Sequence, residues 1–288
     1  MNLTDINDIR ELLGRHGFRF SKSMGQNFLT ASWVVENIAA SAELDENTGV
    51  LEVGPGIGCL TEQLSMRAGK VLSVELDKAL KPVLRETLGS RDNVEVIFGD
   101  VLKQDISALI EEHFTGMRAV VCANVPYNVT SPLLTAFIEA KNVETVTVMI
   151  QREVARRICA GPGSGDYGAF GIFVQWYMEP ELLFDVPPSC FIPQPKVTSS
   201  VIRLKRRTKP LYEGVDDRLL FKVVRAAFNQ RRKTLANALS SGMGIDRESI
   251  ETVIEKCGYD RRIRGEVLDI GGFVKISSEI ANIARNDL

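Results

Sequence analysis

Histidine is nearly absent: the 288 residues hold two, His16 and His113. A histidine-rich metal site is thereby excluded and no metal is expected; each histidine reads as a surface residue rather than a catalyst. The five cysteines (Cys59, Cys122, Cys159, Cys190, Cys257) include no C-x-x-C pair. An odd number of widely spaced thiols argues against a disulfide framework and predicts reduced thiols in a cytoplasmic protein. No apolar run approaches the ~20 residues of a membrane-spanning helix. The polar start, with Ile6, Ile9, Leu12 and Leu13 at helical spacing, is unlike a signal peptide. Net charge is also small, −2, but unevenly spread. Residues 1–204 carry 18 Lys/Arg against 25 Asp/Glu, and residues 205–264 carry 15 against 8. A basic block after an acidic one predicts a polyanionic partner.

What is present begins with Val50-Leu51-Glu52-Val53-Gly54-Pro55-Gly56-Ile57-Gly58-Cys59. An apolar run followed by three alternating glycines and a helix start is a strand, turn and helix N-terminus, a nucleotide site in a doubly wound sheet. Cys59 stands where the dinucleotide fingerprint needs its third glycine, and the loop lacks the Gly-Lys-Ser/Thr ending of a phosphate-binding loop. A nucleoside cofactor without phosphate fits better.

Strands at 71–74, 94–98, 119–123 and 146–150 alternate with helices at 60–66, 78–88, 105–114 and 152–160, which predicts a parallel sheet with its ligand at the strand C-termini. The second strand ends at Glu75, 21 positions past Gly54 and near the spacing of a ribose-binding acid. The third ends at Asp100, an acceptor for an adenine amino group. The polar loop from Ser23 to Leu29 puts Asn27 within reach of a ligand over the glycines.

The fourth strand runs into Asn124-Val125-Pro126-Tyr127. Pro126 biases Val125 toward extended backbone, so carbonyls and the Asn124 amide can face a ligand. An exocyclic adenine amine is a poor nucleophile because its lone pair is delocalised. Two acceptors on its N–H groups, Asn124 Oδ1 and a carbonyl at Val125 or Pro126, would localise that pair. Tyr127 would stack on the base, and Phe191, in the proline-rich loop 186–197, would supply the second face of a base sandwich. A final antiparallel pair is expected at 173–178 and 199–204. After a linker at 205–210 the pattern is helical, in outline 217–241, 246–257 and 264–285. The basic run Arg231-Arg232-Lys233 falls within the first of these helices. The expected domains are 1–205 and 206–288.

Together these pieces resemble the ribosomal RNA adenine N6,N6-dimethyltransferase family, in its bacterial small-subunit branch. Glu52-x-Gly54-x-Gly56-x-Gly58, Gly25-Gln26-Asn27-Phe28-Leu29, Val74-Glu75, Gly99-Asp100, Asn124–Tyr127, Phe191–Val197, Arg231–Leu235 and Arg264–Leu268 match it in order over nearly the whole chain. The resemblance implies an α/β fold: a Rossmann-like S-adenosylmethionine-dependent methyltransferase sheet with a small C-terminal all-helical domain. It implies S-adenosyl-L-methionine as cofactor, held by Asn27, Leu29, Gly54, Gly56, Glu75, Asp100 and Asn124. Asn124, Pro126, Tyr127 and Phe191 would do the chemistry, and Arg231, Arg232 and Lys233 would contact RNA. The implied substrate is a pair of adjacent adenines in the 3′-terminal hairpin loop of 16S rRNA in the small ribosomal subunit, and a monomer is expected. The family usually has leucine at positions 24 and 125, where this chain has Met24 and Val125. Competing readings are a large-subunit (23S) methyltransferase of the macrolide-resistance type, a DNA adenine methyltransferase, and a non-catalytic ribosome-assembly or transcription factor on the same fold.

Overall fold

The computed structural model describes residues 1–19 and 26–286; the expected loop residues Ser23, Met24 and Gly25 lie outside them. In chain order the elements are α1 (Ile6–Arg15), β1 (Phe28–Leu29), α2 (Ser32–Ser41), β2 (Thr48–Val53), α3 (Cys59–Ser65), β3 (Lys70–Glu75), α4 (Lys81–Leu88), β4 (Val94–Phe98), α5 (Ile106–His113), β5 (Arg118–Asn124), α6 (Thr130–Glu139), β6 (Thr145–Gln151), α7 (Arg152–Cys159), α8 (Ala169–Tyr177), β7 (Met178–Val186), β8 (Phe191–Ile192), β9 (Ser199–Arg206), α9 (Asp217–Asn229), α10 (Leu235–Met243), α11 (Arg247–Lys256) and α12 (Ile270–Asn286).

Seven strands form one sheet in the order β4-β3-β2-β5-β6-β9-β7. The first five run parallel and β9 pairs antiparallel with β6. All six residues of β2 are buried, as a strand covered by helices on both faces requires. The order reverses at β2, which lies between β3 and β5. That switch point opens a crevice beyond the C-termini of β2, β3 and β5, where Gly54, Glu75 and Asn124 sit. A separate two-stranded sheet pairs Phe28 with Ile192 and Leu29 with Phe191.

Contacts divide the chain into two compact units: Met1–Ala155 with Glu179–Arg206, and Arg156–Met178 with Arg207–Leu288. The second unit therefore takes in a stretch well before the expected cut at 205/206. Its apolar core explains why. Tyr167, Ile172 and Trp176, from that early stretch, cluster with Leu220, Val224 and Phe273 of the later helices.

Three expected elements differ. Residues 173–177 belong to helix α8 and only Met178 opens a strand, β7; with Gln175 the one polar residue from Phe170 to Tyr177, periodicity cannot separate the two states. The outer strand is β7 instead, next to β9. The helix expected over 217–241 is broken at 230–234, where Thr234 caps α10 by accepting from the Asn237 N–H. The last helix is preceded by a single 3₁₀ turn, Gly265–Val267. The expected linker also starts late, because Lys205 and Arg206 complete β9. Arg206 is half-buried and donates to the carbonyls of Ile138 (2.9 Å) and Ala140 (3.0 Å). It thereby satisfies orphan carbonyls at the end of α6.

The discontinuous second unit generates a testable expectation. A fragment ending at Arg206 strips Ile172 and Trp176 of their later partners and leaves a large apolar surface in water. It should bind a hydrophobic dye and aggregate on size-exclusion chromatography, where the full chain does neither. A fragment 1–206 that elutes as a dye-negative monomer would contradict this division of the core.

Candidate active site

The crevice is lined from four directions, all within the first unit: residues 26–29, the glycine loop, the ends of β3 and β4, and Asn124–Tyr127 with Val129 and Leu133.

The glycine loop forms its floor. Gly54, Gly56 and Gly58 all have positive φ (70°, 61° and 93°). A Cβ on Gly56 would lie 3.1 Å from the Phe28 ring, so glycine there serves both the backbone conformation and the close overlying aromatic. Beneath the loop, Glu52 is 1% exposed. Its Oε2 accepts from Thr61 Oγ1 (2.6 Å) and Ser73 Oγ (2.7 Å). Burial pushes this carboxyl up to about 7 from an ordinary 4.5; the two hydroxyls offset part of that rise, and the Glu75 charge adds to it.

Glu75 is 5% exposed at the end of β3. One oxygen accepts from the Gly56 N–H (3.2 Å) and the other from the Asp77 N–H (2.7 Å). Burial raises its pKa, and these N–H donors work against the rise. Each carboxylate oxygen keeps acceptor capacity beyond its single backbone bond. Asp100, after β4, caps a 3₁₀ turn through Oδ1 with the Leu102 N–H (3.1 Å). Its Oδ2 lies 4.0 Å from Lys103 Nζ.

Residues 26–29 cover the site. β1 is held by its pairing with β8, Gln26 Nε2 donates to Asp77 Oδ2 (2.7 Å), and Asn124 Nδ2 donates to the Asn27 carbonyl (3.4 Å). That last bond fixes the Asn124 amide and turns Oδ1 into its acceptor end. The neighbouring carbonyls differ in availability. Pro126 O already accepts from the Val129 N–H (3.2 Å) and Thr130 Oγ1 (3.3 Å). No backbone N–H among the described residues donates to the Val125 carbonyl. Of the two carbonyls expected to accept from a target amine, Val125 is therefore the free one. The Tyr127 hydroxyl meets Ser199 Oγ at 2.6 Å.

Asn27, Leu29, Gly54, Gly56, Glu75, Asp100, Asn124, Pro126 and Tyr127 all line this one crevice. Phe191 does not. It is 2% exposed and packs in the apolar core, because β8 carries it under β1 as the partner of Leu29; its ring face is spent on the core rather than offered to a base. Arg231, Arg232 and Lys233 lie in the turn between α9 and α10, not in a helix. There Arg231 donates to the carbonyls of Gly165 (2.8 Å) and Tyr167 (3.2 Å), while Arg232 and Lys233 are exposed.

Sequence reasoning missed two leucines. Leu76 and Leu102 are 53% and 40% exposed, yet both line the crevice. Large apolar side chains left open in a crevice mark a surface that a flat apolar ligand covers. The available signal was their position directly after Glu75 and just after Asp100. Gln26 and Asp77, which clasp the mouth, carried no comparable sign. Among the described residues, no group of three or more His, Cys, Asp or Glu side chains is placed to hold a metal. None of the described helices is long and apolar enough to cross a membrane.

Comparison with known proteins gives a consistent neighbourhood. The pattern of the ribosomal RNA adenine dimethylase family matches residues 17–266. The ribosomal RNA small subunit methyltransferase A of Alkaliphilus oremlandii is 47% identical, over 94% of this chain and 96% of its own length. That of Bacillus cytotoxicus is 44% identical, over 95% and 96%. Among solved structures, the 23S rRNA methyltransferase ErmE superposes with a TM-score of 0.69 at 28% identity, covering 88% of this chain and 99% of its own.

The buried Glu52 makes stability depend on pH with a defined sign. Between pH 4.5 and about 7 the unfolded chain has released this proton and the native chain retains it. Stability therefore falls as pH rises through that window, by up to about 3 kcal/mol, and levels off above it. Glu52→Gln cannot ionise, so its urea midpoint measured from pH 4.5 to 8 should lose this slope. An unchanged slope would assign the titration to another group.

Proposed function

The chain belongs to the ribosomal RNA adenine dimethylase family, and on that premise we propose that it transfers methyl groups from S-adenosyl-L-methionine to N6 of two adjacent adenines in the 3′-terminal hairpin loop of 16S rRNA, two to each, during small-subunit biogenesis. The single observation that carries the chemistry is the fixed Asn124 amide beside the Val125 carbonyl: two acceptors at the end of β5 to which no group among the described residues donates. The small-subunit assignment rests on relatives at 44–47% identity that bear that name. The large-subunit enzyme ErmE, at 28%, is the second reading.

The residues present fit the cofactor. Glu75, braced by two N–H groups, would accept from the ribose hydroxyls. Leu76 and Leu102 would cover the two faces of the cofactor adenine, with Asp100 Oδ2 accepting from its amino group. Gly54 and Gly56 let the chain approach the ligand without side chains, and Asn27 and Leu29 lie over it. When bound, the cofactor would supply an electrophilic methyl on a positively charged sulfonium, which leaves as a neutral thioether as the C–S bond breaks. Asn124 Oδ1 and the Val125 carbonyl accept the target N–H groups and draw the nitrogen toward tetrahedral geometry, so its lone pair can attack. These bonds strengthen as the reaction proceeds and thus act on the transition state. Tyr127 stacks on the extruded base. No general base is required before attack, in keeping with a crevice that holds no histidine; the nitrogen is cationic once methylated, and it then releases one proton to solvent. Arg232 and Lys233 are free to meet phosphate, and Arg231 orders the turn that presents them.

Two outcomes test this reading. Glu75→Ala should weaken S-adenosylmethionine binding by one to two decades in calorimetry, the worth of charge-assisted bonds of about 1.5–3 kcal/mol; parental affinity would remove the ribose assignment. With undermethylated small and large subunits and labelled cofactor, the parent protein should mark adjacent adenines of 16S rRNA only. Asn124→Ala should lose transfer while still binding subunits. Label in 23S rRNA would favour the second reading, and a parental rate in Asn124→Ala would make the motif structural.

A further inference from the structure

One contact in the crevice is not needed for stacking at all. A phenylalanine stacks on a base as well as a tyrosine does, yet residue 127 carries a hydroxyl, and that hydroxyl is tied to Ser199 Oγ at 2.6 Å. Ser199 is fully buried. It stands at the first position of β9, opposite Gln151 at the end of β6, far from Tyr127 in sequence and outside every motif singled out above. A buried hydroxyl costs free energy unless it is paired, and the Tyr127 hydroxyl is its partner. The other end of Tyr127 is also held, since Thr130 Oγ1 donates to its carbonyl at 3.3 Å.

We infer that Ser199 is a positioning residue for methyl transfer: its bond to the Tyr127 hydroxyl fixes where the ring lies on which the target adenine stacks. The inference rests on the proposed base-stacking role of Tyr127.

The reasoning is geometric. The torsion about Cα–Cβ has several staggered wells, and moving between them carries the whole ring and its hydroxyl sideways, so a ring anchored only at its backbone end swings. A bond at the far tip holds the side chain in one of these wells and so sets the position of the ring, while rotation about the ring's own axis leaves the bonded oxygen where it is. The stacked base follows the ring, and with it the amine that must meet the methyl in line. Errors of about 1 Å at this stage cost as much as two decades in rate. Stacking itself is tolerant of such displacement, so affinity for RNA should not need the bond. Burial raises the Tyr127 pKa, so the hydroxyl keeps its proton, and the bond persists, through the neutral range.

The demand grows between the two transfers to one nitrogen. The unmodified amine offers two N–H groups to Asn124 Oδ1 and the Val125 carbonyl. The monomethyl amine offers one and must place its methyl as well, so it is oriented by fewer bonds and relies more on the ring. Loss of the Ser199 bond should therefore slow the second transfer more than the first.

Ser199→Ala and Tyr127→Phe each remove the bond while leaving a stackable ring. Each should lower the turnover number about tenfold, the usual scale for one hydrogen bond, with KM for small subunits unchanged. The double variant should be no slower than either single variant. The products of all three should shift from dimethyl- toward monomethyladenosine, and Ser199→Thr, which keeps a hydroxyl, should restore the rate. Additive losses, a change confined to KM, or full dimethylation at the parental rate in Tyr127→Phe would overturn the inference. A readout without turnover separates it from failure of the proposed function. In protein carrying ¹³C-labelled tyrosine, Ser199→Ala should move the Tyr127 Cζ resonance and leave the other tyrosines in place. An unmoved resonance rejects the bond itself, whatever substrate the enzyme takes.

Discussion

Glu52 holds together the three elements on which the crevice depends. Its carboxyl is buried at the end of β2 and accepts from Thr61 of α3 and Ser73 of β3. The glycine loop leaves β2 immediately above it and enters α3, so the loop's two ends and the neighbouring strand are fixed through one oxygen. That arrangement brings the Gly56 N–H to Glu75, and Glu75 in turn orders the turn through Asp77. Asp77 then receives Gln26 from the covering segment. Floor, wall and roof are thus linked by a chain of hydrogen bonds starting from a single acid with no cationic partner. An acid in that position costs stability through desolvation, and the cost is offset by the shape it imposes on the loop.

The parts of this architecture that were legible in the sequence are those where local chemistry leaves few options. Alternating glycines after an apolar run permit little besides a strand-to-helix turn, and acids at the ends of successive parallel strands must gather at one sheet edge. Asn124 and Tyr127 followed from the same logic. What escaped was set by tertiary packing. Phe191 reads as a free aromatic in a stiff loop, but its ring is taken by the core because β8 finds β1. Residues 169–177 are apolar but for Gln175, so the partner surface decides between helix and strand, and here the partners are helices. The basic run is interrupted by a turn because Thr234 caps a new helix, a local signal that the continuous apolar pattern around it conceals. The Ser199–Tyr127 bond joins residues more than seventy positions apart, and no spacing rule reaches that far.

The charge of the basic block is likewise redistributed by structure. Arg206 is absorbed as a cap on α6, Arg207 donates to the Gln175 carbonyl at 3.0 Å, and Arg261 pairs with Glu255 at 2.5 Å. Counting lysines and arginines therefore overstates what faces a polyanion. Arg232 and Lys233 stay exposed, while Arg231 gathers the Gly165 and Tyr167 carbonyls.

The pairing of β1 with β8 also sets a schedule. Phe28 finds its partner, Ile192, across more than half the chain, and closing such a long loop comes late in folding. During synthesis, with the N-terminal part folding first, the sheet from β2 to β6 can form while the covering segment still lacks the strand that pins it. The pinned roof over the crevice therefore requires the chain to be made through Ile192. A nascent chain stalled before that point has the floor of the site without its fixed cover.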